Sequence, residues 1–472
     1  MKQTVVQRFR LNAGVSNNEG GYSFERIMLK KIWQKVVKPT QHSHKQVLPF
    51  ETHHLDMNAL SFAAEKVISR LQQAGFEAYV VGGAVRDLLQ GVEPKDFDVA
   101  TNAKPEEIRQ VFRRSRIIGR RFQIVHVMIG PETIEVTTFR GGDKGVQNEQ
   151  GRIMKDNTYG TLEEDAQRRD FTCNALYFDP IKREIIDYHD GVTDIERKKL
   201  VMIGNAAERY QEDPVRILRA VRLSAKLGFE VEEHTAAPIA KYAHRLKEEP
   251  PARLFDEVIK ILFSGYARRC LEQIAQLGID TPIHPILDGL QQASKGKTNL
   301  ATLALKNTDE RLREDKSVSV GFVLAAVLWH DLNQRWQKHL QLGEKNTPAL
   351  NEAIAELRDT MEKGWGVPQK FAATMREIWV LQPQFDYRRG MRPYRLIAQV
   401  RFRAAYDFLI LRAQMGEVAS EVADWWTQFQ HADDAERAMM TVANQTTANT
   451  DEAKRKRRKP RKRKPKAESY DQ

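Results

Sequence analysis

The stretch Glu77-Ala-Tyr-Val-Val-Gly-Gly-Ala-Val-Arg-Asp-Leu-Leu-Gln-Gly-Val-Glu-Pro-Lys-Asp-Phe-Asp98 decides how the rest is read. Glu77 to Val81 is apolar and β-branched enough for a buried strand. It breaks at Gly82-Gly83, and Ala84 to Gln90 has the composition of a short helix. A second strand then carries Asp96 and Asp98. Strand side chains alternate with period two, so the two carboxylates share a face and Phe97 packs behind them. Paired carboxylates repel unless a cation lies between them, and a small set of hard oxygens suits Mg²⁺ with positions left for phosphate. Two glycines let the backbone approach a polyphosphate with no Cβ in the way. Strand, Gly-Gly, helix and Asp-x-Asp in that order point to metal-dependent nucleotidyl transfer.

Working outward, residues 58–190 alternate helical and strand patterns. A helix is expected from Ala59 to Gln73. Another begins at Pro105 and runs to Arg114, with Ile108, Val111 and Phe112 at helical spacing. Strands are expected at Phe122–Ile129 and Thr133–Arg140, and 141–158 reads as a mobile loop rich in Gly, Asn, Asp and Lys. These elements predict a mixed sheet of four or five strands. Beyond residue 200 nearly every segment is helical, for example Pro214–Leu227, Pro251–Phe263, Phe322–Leu332, Phe371–Leu381 and Arg401–Gln414. The fold class is therefore α+β: a small mixed-sheet head, then an all-α neck and body. The expected divisions are a poorly ordered extension at 1–54, a catalytic head at 55–200, a helical neck at 201–265, a helical body at 266–440 and a disordered basic tail at 441–472.

Composition narrows the class. The chain has 472 residues, 41% hydrophobic and 29% charged, enough for about three domains with real cores. No apolar run approaches the length of a membrane span, and no secretory h-region is visible. Cys173 and Cys270 lack metal-ligand spacing, which suggests a reducing, cytoplasmic setting and argues against zinc or a disulfide framework. The histidines at 42, 44, 53 and 54 likewise have no ligand spacing. Net charge is +12, and residues 451–472 alone hold +7 (eleven Lys or Arg against four Asp or Glu), leaving +5 for the rest. The block Lys454-Arg-Lys-Arg-Arg-Lys-Pro-Arg-Lys-Arg-Lys-Pro-Lys466 repels itself, cannot form a core, and suits a polyanion. A nuclear-import signal has the same composition, so the tail alone names no function.

Three further groups carry chemistry. Glu135 shares a strand face with Thr137 and Phe139; beside the Asp-bearing strand it would complete a three-carboxylate, two-metal site. In Arg168-Arg-Asp-Phe-Thr-Cys-Asn-Ala175, Arg forks suit phosphate and ribose oxygens, and Asp170 can accept from a sugar hydroxyl. In Glu212-Asp213-Pro-Val-Arg216, Asp213 reads as N-cap and Pro214 as the first helical residue. Arg216 is near enough to act with Asp213, and one donor beside one acceptor matches either adenine N1/N6 or cytosine N3/N4. His330-Asp331 lacks companions in register and reads as a helix-end pair.

Together these motifs resemble the class II nucleotidyltransferases of the polymerase β superfamily, which contain the tRNA CCA-adding enzymes and the bacterial poly(A) polymerases. They stand in the family's order over roughly residues 60–265. The resemblance implies Asp96 and Asp98 as metal ligands for Mg²⁺, with Gly82, Gly83, Arg86 and Asp87 near the triphosphate of ATP. It implies Arg169 and Asp170 near the ribose, and Asp213 and Arg216 reading the base without a template. Glu135 is added as the third catalytic carboxylate, and either it or Asp98 would take the hydroxyl proton. Ile117-Ile-Gly-Arg-Arg-Phe-Gln-Ile-Val-His-Val127, Phe402-Arg-Ala-Ala-Tyr-Asp-Phe-Leu409 and the basic tail resemble the poly(A) polymerase branch. That branch implies addition of AMP from ATP to RNA 3′ ends with release of pyrophosphate, in RNA polyadenylation and decay. It also implies a cytoplasmic monomer with RNA-decay factors among its partners. Cys173 departs from the family at a variable position of the arginine motif, where it is expected to be tolerated. The rival readings are tRNA CCA addition and, from another class, a non-catalytic RNA-binding scaffold.

Overall fold

The computed structural model describes residues 45–119, 123–141, 146–147, 153–155, 158–296 and 298–442. The expectations for residues 1–44, for 120–122 within the Ile117–Val127 segment, and for the tail from 443 onward lie outside the described residues.

The head is one eight-stranded sheet. Its strands are β1 (Gln46–Pro49), β2 (Ala78–Val81), β3 (Asp98–Thr101), β4 (Ser115–Ile118), β5 (Ile124–Ile129), β6 (Glu132–Thr138), β9 (Leu176–Asp179) and β10 (Glu184–Asp187). A separate two-stranded pair, β7 (Val146–Gln147) with β8 (Ile153–Lys155), lies within the segment expected to be a loop. The order is β1-β10-β9-β2-β3-β6-β5-β4. Every pairing is antiparallel except β3 with β6, which a helix at Pro105–Val111 and the β4–β5 hairpin separate in sequence. A parallel pair needs such a crossover, and it brings two distant strands together at the centre of the sheet.

Several sequence expectations are corrected. The sheet has eight strands, because β1, β4, β9 and β10 are short and three of them are paired far along the chain. Residues 46–54 are not a loose extension: β1 pairs with β10, and a helical turn follows at Phe50–His53. The second strand starts at Asp98, so Asp96 precedes it in irregular backbone. The helix from Pro105 ends at Val111, since Ser115–Ile118 is drawn off as the edge strand β4. The first long helix is α1 (Phe62–Gln73), which starts where Ser61 accepts from the Ala63 and Ala64 amides. Such a cap is worth about 1 kcal/mol. Ala63, Ala64, Val67, Ile68 and Leu71 form its buried stripe.

From Ala206 onward the described residues form helices and their connections, apart from the short strand Glu230–Val231, which pairs in parallel with Lys199–Leu200. Apolar side chains form a large core that runs from the sheet into the helical body, including Val80, Val99, Leu218, Val258, Trp329 and Phe408. A small cluster on the other face of the sheet holds Tyr79, Val81, Ala100 and Tyr177. A third, at the end of the body, holds Phe385, Phe402, Trp426 and Phe429. The helix Phe402–Gln414 serves two of these: Phe408 and Leu411 enter the large core, Phe402, Tyr406 and Leu409 the terminal one.

Candidate active site

The site lies where the sheet face covered by the small cluster becomes open. Strand register builds it. Val81 is opposite Asp98, Asp98 opposite Glu135, Glu135 opposite His126, and His126 opposite Arg116. Directly opposed residues point to one face, so Asp98, Glu135, His126 and Arg116 form a row across β3, β6, β5 and β4. On β6 the alternation is clean: Ile134 and Val136 are buried, Glu135 is exposed. Asp96 and Asp98 are both exposed while Phe97 is buried, and the Asp96 charge bears on the Asp98 carboxyl although only Asp98 is in the strand.

Neither Asp96 nor Asp98 has a hydrogen bond or ion pair among the described residues. Loss of water at the Asp98 carboxyl and then the charge of Glu135 push it up to about 6; Arg169 pulls the other way, and Asp96 adds to the rise. Glu135 has a lateral neighbour, its Oε1 lying 3.3 Å from His126 Nε2. The three carboxylates do not converge: among the described residues no three acidic, His or Cys side chains cage an ion by themselves. The crowded, unpartnered pair Asp96/Asp98 fits a hard divalent cation, which would complete its shell with ligand oxygens and water. Glu135 stands beside that pair, as its strand pairing required, without closing it into a three-donor site.

The Gly-Gly turn follows β2. Gly82 has φ +76°, a conformation in which a Cβ is strained, and a Cβ there would lie 3.7 Å from Arg169 Nη1. The helix α2 (Gly83–Leu89) starts at once. Arg86, on this helix, is buried. Its Nε and Nη2 donate to Asp87 Oδ1 at 2.9 and 2.6 Å, and its Nη1 to Asn174 Oδ1 at 2.5 Å. Arg86 and Asp87 thus tie this helix to Asn174 of the arginine motif.

Asp165 is the hub of the arginine motif. It accepts from Arg168 at 2.5 Å, Arg169 at 2.9 Å and the Tyr177 hydroxyl at 2.7 Å. Burial opposes its ionisation, but Arg169, Arg168 and the Tyr177 hydroxyl outweigh that and hold it well below the usual carboxylate range. Arg169 also donates to the Asn174 carbonyl at 3.4 Å, which holds its guanidinium beside Gly82, and its charge reaches the Asp98 carboxyl. Asp170 is buried. It caps the Phe171 amide at 2.8 Å and takes Arg219 Nε at 2.7 Å, so it faces inward. Both thiols are free and buried, and burial pushes Cys173 up to about 12, leaving it inert at the variable position.

The neck clamps this motif. In α3 (Ala206–Glu212), Arg209 Nη2 donates to the Arg168 and Arg169 carbonyls at 2.6 and 2.5 Å. Asp213 ends that helix, and the N-cap of α4 (Val215–Leu227) is Pro214, one residue later than expected. Asp213 still caps: Oδ1 accepts from the Val215 amide at 3.1 Å, and Oδ2 takes Arg253 Nη2 at 2.7 Å. Arg216 turns instead to the Arg209 carbonyl at 2.8 Å and Glu212 at 3.2 Å. The two residues flank one another, but their side chains hold different partners.

Sequence reasoning missed Asp165, Tyr177, His126, Arg209, Arg219 and Arg253. Asp165 had a signal, since it stands three and four residues before the two arginines on a helix. His126 alternates with the buried Val125 and Val127. Arg253 arrives from a helix forty residues on, and nothing local marks it.

Comparison with known proteins fits this arrangement. Family models match three parts of the chain: the poly A polymerase head domain at 78–201, a probable RNA and SrmB-binding site of polymerase A at 228–290, and the polymerase A arginine-rich C-terminus at 342–464. Poly(A) polymerase I of Salmonella typhi is 38% identical over 431 residues, covering 89% of this chain and 93% of that protein. The chain belongs to the poly(A) polymerase I family. The Haemophilus influenzae member is 37% identical and is covered over 95% of its length. The CCA-adding enzyme of Streptococcus mutans is 41% identical, but over 43% of this chain and 50% of that one. Among solved structures, the Bacillus stearothermophilus CCA-adding enzyme in complex with CTP superposes with a TM-score of 0.52 at 26% identity, covering 77% of this chain and 80% of that one.

Proposed function

We infer that this member of the family extends RNA 3′ ends with AMP from ATP, releasing pyrophosphate and using no template. The observation that carries the reading is the open row itself. Asp98 and Glu135 are placed side by side by β3 and β6, next to the Gly82 turn and the Arg169 guanidinium, in a chain whose full-length relatives are poly(A) polymerases.

Asp96 and Asp98 would hold a divalent cation, magnesium in this reading, which would neutralise charge at the phosphates and acidify the attacking hydroxyl. The protein's own groups do the rest. The Gly82–Gly83 backbone and the start of α2 receive the triphosphate. Arg169, held by Asp165 and Tyr177, lies against the α-phosphate and ribose. The RNA 3′ oxygen bonds to the α-phosphorus in line, the bond to pyrophosphate breaks, and the hydroxyl proton passes to Asp98 or Glu135. Asp213, Arg253 and Arg216 form the wall that meets the base. Asp170, locked to Arg219, ties the arginine motif to the neck and positions rather than touches the nucleotide. A monomeric state, a cytoplasmic setting and partners among RNA-decay factors belong to the same reading.

tRNA CCA addition is the alternative. The CCA-adding relatives match less than half of the chain, whereas the poly(A) polymerases match nearly all of it. The test is incubation with Mg²⁺, a 5′-labelled RNA and one nucleotide at a time. A long ladder with ATP and little with CTP is expected. One or two CTP additions confined to tRNA would overturn it.

A further inference from the structure

The terminal core carries an unusual surface. Along its outside runs Tyr387-Arg-Arg-Gly-Met-Arg-Pro-Tyr-Arg-Leu-Ile-Ala-Gln-Val-Arg-Phe-Arg403, with six arginines and no Asp or Glu. Two are spent within the protein: Arg401 pairs with Glu377 at 2.8 Å, and Arg403 with Asp407 at 3.0 Å. Arg388, Arg389, Arg392 and Arg395 have no carboxylate partner among the described residues, and the last three are exposed. Gathering four unpaired guanidinium groups costs mutual repulsion, and their natural complement is a polyanion.

The surface also exposes apolar and aromatic groups. Tyr387 is 48% exposed, Met391 63% and Val400 93%. The Arg392 Cζ lies 4.6 Å from the Tyr387 ring centroid, so the ring is backed by a cation and held in place. Charge alone would suit an acidic protein. An open ring amid arginines suits single-stranded nucleic acid, which offers phosphates and base faces together.

We propose that this surface holds the single-stranded RNA upstream of the end being extended, with Arg388, Arg389, Arg392 and Arg395 on phosphates and Tyr387 stacking a base. It lies outside residues 228–290, the segment matched by the RNA-binding family model, and inside residues 342–464, matched by the arginine-rich C-terminus model, which names no ligand. The identity of the nucleic acid rests on the adenylyl-transfer reading above.

The test uses the full chain and a 5′-fluorescent, unstructured single-stranded RNA, with anisotropy followed over a salt series. Combining Arg388→Gln, Arg389→Gln, Arg392→Gln and Arg395→Gln removes four phosphate contacts. The slope of log Kd against log salt should fall by about three, at ~0.7 per phosphate. Tyr387→Ala should weaken binding on the order of tenfold with the slope retained, and Tyr387→Phe should restore it. Lys182→Gln, an exposed charge on the head, should leave the slope alone. An unchanged slope in the quadruple variant overturns the proposal. The two readings fail separately. A normal ATP ladder with an unchanged slope removes only the surface; a lowered slope without any ladder removes only the adenylyl transfer.

Discussion

Asp96 and Asp98 share their chemistry with Asp165, Asp170 and Asp213, and their surroundings are opposite. The first two are exposed and unpartnered, crowded only by each other and by Glu135. The other three are each bound to an arginine: Asp165 to Arg168 and Arg169, Asp170 to Arg219, Asp213 to Arg253. One group leaves its charge free for what enters the site. The other spends its charge fixing the shape of the walls. A motif residue's role here is read from whether its charge has been answered within the protein, not from its proximity to the site.

The sharpest way to break this comparison is Asp98→Asn. AMP incorporation should fall on the order of 10³-fold or more while the melting temperature holds, since no internal partner is lost. A drop in melting temperature would move Asp98 into the other group. Asp165→Asn should do the reverse. Leaving two arginines without their buried carboxylate costs about 3–5 kcal/mol in denaturant unfolding. The Asp165 carboxyl is depressed in the folded state, so its contribution is present above the ordinary carboxylate range and is lost on acidification. The gap between wild type and variant should therefore narrow as pH falls below about 4; a gap constant with pH would contradict the hub. Gly82→Ala should cost about 1–2 kcal/mol from its positive φ and raise KM for ATP by disturbing Arg169. An unaltered KM would detach the turn from the nucleotide. Smallest is Lys95→Gln, which removes an ion pair with Asp315 whose side chains are about three-quarters exposed. No measurable change in melting is expected.

The sequence made the local pieces legible. The strand, Gly-Gly turn and following helix, the burial of Phe97 between two exposed aspartates, and the helical character beyond residue 200 all follow from short-range patterning. Even Glu135 beside Asp98 could be anticipated, because its strand alternates cleanly. What escaped was set by distance along the chain. β1 is too short to announce itself and is ordered by β10, more than a hundred residues away. The inward turn of Asp170 depends on Arg219, and the partner of Asp213 comes from Arg253. An Asp three residues before an Arg invites pairing, yet Arg216 found Glu212, four residues back at the end of the preceding helix.

The helix Phe402–Gln414 has a consequence of another kind. It is a wall common to two rooms, closing the large core with Phe408 and Leu411 and the terminal core with Phe402, Tyr406 and Leu409. The debt between the rooms runs one way. Peeling off the terminal layer leaves the wall standing on its larger side, but collapse of the large core removes the wall and the smaller room with it. Unfolding should therefore follow a fixed order, with amide protection lost first around Trp426 and Phe429 and last around Val80 and Val99. The arginine surface sits on the layer that can open while the chemistry stays shut.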